Sequence, residues 1–147
     1  MFRTEHALTI DAPPEAVWAV LTDFASYPEW NPFVRKVEGT FALGEVVELE
    51  VQLGDETWNV KQKIVELEPG RGYAWTSRSW YVLLATWGLR SFRIEPDGDG
   101  RCTFTDCEDT FGPLAWVVKK KYGQALIDGI EAADRALKER VEARESA

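Results

Sequence analysis

The chain has 147 residues, a length suited to one domain, 1–147, that buries roughly 70% of its extended surface on folding. Its formal charge of −8 argues against a nucleic-acid partner, because the only dense basic run is Lys119-Lys120-Lys121. No apolar run approaches the roughly 20 residues that span a bilayer, so no stable membrane insertion is expected. The N-terminus lacks a signal peptide's apolar centre, which makes a cytoplasmic home the expectation.

The first run, Phe2 to Ile10, alternates and ends in "ALTI", which predicts a strand. "DAPPE" then turns the chain into a helix whose Val17, Val20, Leu21 and Phe24 recur at spacings of three and four. Pro28 and Pro32 stop that helix. A short second helical turn and an extended arm follow, carrying Tyr27, Trp30 and Phe33.

Six strand-like runs come next: "VRKVEGTF", "GEVVELEVQLG", "ETWNVKQKIVELEPG", "RGYAWTSRSW", "LLATWGLRSFRIEPDGDG" and "RCTFTDCEDTFG". Their connections are so short that an antiparallel meander is the natural arrangement. Val47, Leu49, Val51 and Leu53 share one face, and Glu48, Glu50 and Gln52 the other, as in a sheet that is wet on one side. "EPDGDGR" fits a hairpin turn and is too short for a calcium-binding helix–loop–helix.

From Leu114 to about Arg140 no proline interrupts a stripe of Val118, Tyr122, Ala125, Leu126, Gly129, Ala133, Ala136 and Leu137. This predicts a long terminal helix, and the concave side of a twisted sheet is the surface available to it. Seven tryptophans either fill the space between helix and sheet or line a cavity there.

Two segments, "APPEAVWAVLTDFASYPEWNPFV" and "FRIEPDGDGRCTFTDCEDTFGP", together with the final helix, resemble the START-related SRPBCC superfamily, within it the polyketide cyclase/dehydrase-like branch. The resemblance covers nearly the whole chain. It implies an α+β helix-grip fold, like that of the birch pollen allergen: a curved seven-stranded antiparallel sheet around the C-terminal helix, with two short helices closing one end of a hydrophobic cavity. On that reading Trp30 and Phe33 belong to the plug between short helices and sheet. Trp58, Tyr73, Trp75 and Trp87 are candidate cavity residues, as are Phe92, Phe104, Trp116 and Tyr122.

Polar residues on inward faces are the candidates for chemistry. Cys102, Phe104, Asp106, Glu108 and Thr110 share a parity, so if Phe104 faces inward both carboxylates do too. Buried carboxylates need a cation or donors, and Arg90, on the parity of Phe92, is the best partner. Arg90, Glu108 and Asp106 are therefore the candidate catalytic residues for general acid or base work. The alternative is a structural ion pair. His6, the single histidine, is read as a satisfied or solvated strand residue.

Cys102 and Cys107 point to opposite faces of one strand and should not pair, and no zinc pattern surrounds them. Neither a metal nor a cofactor is expected. The lysine run either snorkels around the start of the last helix or receives an acidic ligand. The leading functional expectation is binding or transport of a small hydrophobic molecule, such as a lipid, polyketide or aromatic metabolite. An aromatase, cyclase or dehydratase, or a protein-interaction module, are the alternatives. The oligomeric state has no signal in the sequence.

Overall fold

A computed structural model describes residues 1–79 and 86–147. Strand β1 (Phe2–Ile10) leads into α1 (Pro14–Leu21), a 3-10 turn (Phe24–Ser26) and α2 (Tyr27–Trp30). Six strands follow: β2 (Val34–Glu38), β3 (Val46–Leu53), β4 (Glu56–Glu68), β5 (Gly72–Ser79), β6 (Thr86–Pro96) and β7 (Cys102–Phe111). The chain then enters α3 (Ala115–Glu145). The expected strand ends at Trp80 and residues 83–85 lie outside the described residues.

All neighbours in the sheet are antiparallel, in the order β1-β7-β6-β5-β4-β3-β2. β2 to β7 thus form the expected meander, and β1 closes onto the last strand. This is the helix-grip architecture, a sheet curled around α3. Gly98 and Gly100 make the β6–β7 hairpin with φ of 79° and 72°, a left-handed conformation that glycine adopts without steric cost. Cys102 and Cys107 are free thiols, one buried and one half-buried.

The helix stripe is rotated from the one the spacing predicts. Ile130, Ala133, Asp134, Leu137 and Val141 are its buried residues in the C-terminal half, and Ala136 is only half-buried. Burying side chains such as Ile130 and Leu137 stabilises the fold by roughly 2 kcal/mol each. At the other end of the core Tyr73 is ringed by Trp18, Phe24, Phe41, Trp75 and Phe92, with centroids 4.7 to 6.4 Å away. The two halves of α3 therefore meet different surroundings, solid packing toward the C-terminus and open space toward the N-terminus. Among the described residues no helix is long and apolar enough to cross a membrane.

Candidate ligand-binding cavity

The segment that joins α2 to β2 builds one end of the site. The Asn31 side chain accepts hydrogen bonds from the backbone N–H groups of Phe33 and Val34, both at 2.9 Å. That turn, with Pro32 held at its fixed φ, aims the Phe33 ring inward. The ring comes to rest against α3 where Gly129 has no side chain; a Cβ there would lie 2.3 Å from a Phe33 ring carbon. On its other side it covers the Arg90 guanidinium, 5.1 Å from the ring centroid. Phe92 covers the same guanidinium from 4.8 Å.

Beyond Phe33 lies a cavity of about 390 Å³ between the sheet and the N-terminal half of α3, within the size range of small-molecule sites. Its apolar wall comes from Leu49, Val51 and Leu53 on β3 and from Val118, Tyr122 and Leu126 on α3. Trp58, Trp75 and Trp87 add flat surface. The Trp58 and Tyr122 rings meet edge to face at 5.1 Å and tie β4 to the helix. One polar part is Arg90 and Glu108, with Ser77, Thr86 and Thr110 around them, and Asn59, Lys61 and Gln62 of β4 are the other. A separate void of about 20 Å³, lined by Trp30, Phe92 and Phe104 with Arg90 and Asp134, is large enough for about one water molecule.

A chain of polar groups supports the floor. Arg90 donates from Nε and Nη2 to the two carboxylate oxygens of Asp106, at 3.0 and 2.6 Å. The carboxyl of Asp134 on α3 lies next to that of Asp106. Asp134 lies 2.8 Å from Nδ1 of His6 on β1, so the lone histidine is a satisfied strand residue. Burial and the neighbouring Asp106 push the Asp134 carboxyl far above the usual range, because two adjacent carboxylates cannot both ionise there.

Glu108 stands apart from this chain. It sits directly across the ladder from Arg90, yet no hydrogen bond or ion pair from a described residue holds its carboxylate. Its Oε1 occupies the space left by Gly88, where a Cβ would lie 2.8 Å away. Desolvation raises the Glu108 carboxyl to about 7; the Arg90 charge opposes that rise, and Asp106 and Asp109 add to it. The cavity thus holds one carboxyl that changes charge near neutral pH, which is the range useful for proton transfer.

Phe33, Trp58, Trp75, Trp87, Arg90, Glu108 and Tyr122 are brought together at the cavity. Six candidate residues lie elsewhere. Tyr73 is solid core, 1% exposed, because its strand position points into the ring cluster. Trp116 is 64% exposed, because the first turn of α3 presents it to solvent. Asp106 is wholly buried and faces Arg90 and Asp134 instead of the cavity. Trp30, Phe92 and Phe104 line only the water-sized void. The three lysines are exposed, and Lys121 rests over the Tyr122 ring at 5.1 Å. Asp134 and Gly88 were missed; their signals were an aspartate three residues before Leu137 on the apolar stripe, and a glycine on the inward parity of Arg90.

Fold and cavity define the class first: a helix-grip protein with an internal, ring-lined site. The chain belongs to the family described as polyketide cyclase/dehydrase and lipid transport, whose model matches residues 1–142. Among solved structures it is similar to the Zhui aromatase/cyclase from Streptomyces sp. R1128, with 20% identity over 97% of this chain and 94% of that one and a TM-score of 0.72. It is also similar to norcoclaurine synthase from Thalictrum flavum in complex with dopamine and hydroxybenzaldehyde, with 16% identity, 97% and 87% coverage and a TM-score of 0.74. A protein from Nitrosomonas europaea matches with 13% identity, 99% and 97% coverage and a TM-score of 0.77. No curated protein matches the sequence.

Proposed function

We propose that the protein binds a small, largely apolar, ring-containing molecule between its sheet and the N-terminal half of α3. The observation that carries this reading is the cavity of about 390 Å³, whose walls are mostly apolar, with Arg90, Glu108 and their hydroxyl neighbours at one part and Asn59, Lys61 and Gln62 of β4 at another. Such a site holds its ligand by burial of apolar area, while the few polar groups orient it. Titration calorimetry with 2-naphthalenemethanol tests it. Binding by the parent, and its loss in a Leu126→Trp variant that keeps its melting temperature within a few degrees, is the expected result. Absence of binding across neutral one- to three-ring alcohols overturns it.

A second reading rests on Glu108. A carboxyl that titrates to about 7 beside an apolar ligand can accept or return a proton, as a cyclase, aromatase or dehydratase requires. Holding a reactive chain in one conformation would supply the rest of the rate enhancement. Under this reading Glu108→Gln abolishes turnover and leaves binding of a neutral ligand nearly unchanged. A variant with full turnover excludes the proton-transfer role.

A further inference from the structure

The charges at the cavity floor do not act equally on a ligand. Arg90 is the nearest cation, but its Nε and Nη2 are bound by Asp106, and the Phe33 and Phe92 rings pack over it at 5.1 and 4.8 Å. A ligand anion would have to share a guanidinium already neutralised by a bidentate partner. Behind this pair, Asp134 is kept protonated by burial and by Asp106, and His6 is turned toward Asp134.

The other charged groups near the site do not offset Glu108. Asp109, on the same strand, is engaged by Arg3, with contacts of 2.6 and 2.8 Å. Lys61, at the cavity rim on β4, is largely exposed and lies 3.6 Å from Glu48. From α3 only the phenol of Tyr122 reaches the cavity. The one carboxyl that lines the cavity is therefore Glu108, without a partner among the described residues and in the space that Gly88 leaves.

We infer that the cavity selects its ligand by charge: it takes a ring system bearing an amine or a neutral hydrogen-bond donor and rejects the same rings bearing a carboxylate, with Glu108 as the deciding group. This rests on the cavity reading above and names the ligand class for it. An ammonium or a hydroxyl supplies the donor that the Glu108 carboxylate lacks. A carboxylate places a second anion beside it in a site of low dielectric, where like charges repel more strongly than in water.

The test compares three probes of one shape, 2-naphthylmethylamine, 2-naphthalenemethanol and 2-naphthoate, titrated calorimetrically into the parent and into Glu108→Gln. Because Glu108 gains its charge around pH 7, affinity for the amine rises with pH and affinity for the naphthoate falls. A coupling that moves the carboxyl by one pKa unit changes affinity about tenfold across that range. The alcohol changes by less than about threefold. In Glu108→Gln the pH dependence disappears and the amine loses its advantage.

Naphthoate binding as tightly as the amine above pH 7, or a pH dependence that survives in Glu108→Gln, overturns the charge selection while alcohol binding leaves the cavity reading standing. Failure of all three probes, the alcohol included, overturns both.

Discussion

Glu108→Gln should make the protein more stable, by an amount that depends on pH. The folded environment raises this carboxyl from its ordinary value of 4.5 to about 7. Between those values the unfolded chain has already released the proton while the folded chain still holds it. Stability contributed at this position is therefore intact below about pH 4, falls as pH rises, and is fully lost above pH 7. The gap between the two values corresponds to about 3 kcal/mol. The glutamine variant does not ionise and escapes this loss. Urea unfolding at about pH 4 should give coincident curves for parent and variant, and at about pH 8 the variant should be more stable by about 3 kcal/mol. In a chain of this size that is roughly 10 °C in melting temperature. A variant no more stable than the parent at pH 8 would mean that Glu108 is satisfied in the folded protein, and the argument from desolvation would fail.

Arg90→Met leaves Asp106 buried without its cation and should cost about 3–5 kcal/mol at neutral pH; urea denaturation checks it. Asp134→Asn should cost under about 1 kcal/mol at neutral pH, since it replaces a carboxyl already protonated, whereas Asp106→Asn strands Arg90 and should cost several. Equal losses in the two variants would refute the assignment of the shared proton to Asp134. Gly129→Ala gains about 1 kcal/mol of helix propensity but forces Phe33 aside, at a cost of about 1–3 kcal/mol. Net stabilisation by the alanine would show that the contact is not tight.

The fold was readable because its signals are local and repeated. Alternation on β3 and on β7, short turns and one uninterrupted helical stripe leave little choice of topology. The cavity residues on strands were readable by parity, as Glu108 and Arg90 illustrate. Parity fails where depth decides: Tyr73 and Trp75 share a face, yet the short helices cover Tyr73 while Trp75 also borders the open space. It fails again on the helix, where a small rotation of the stripe replaced Ala136 with Asp134 among the buried residues. The sequence also could not apportion Arg90 between two carboxylates two residues apart.

That apportionment creates the site's chemistry. In the ladder Arg90 faces Glu108, and Asp106 lies two pairs further on, opposite Phe92. The Phe33 and Phe92 rings both pack over the guanidinium, and Asp106 receives it through two hydrogen bonds. Such planar, bidentate pairing satisfies both groups away from water. Glu108 is then left with the charge of Arg90 nearby but none of its hydrogen bonds, and Gly88 gives its carboxyl room to face the cavity. Two similar residues on one strand thereby diverge, Asp106 toward the buried ion pair and Glu108 toward the cavity. Because Phe33 holds Arg90 in that pose and Gly129 admits Phe33, displacing the ring with Gly129→Ala should free the guanidinium toward the cavity and weaken discrimination against 2-naphthoate. Unchanged discrimination in that variant, with Phe33 shown by NMR to have moved, would mean that the Phe33 contact does not set the polarity of the site.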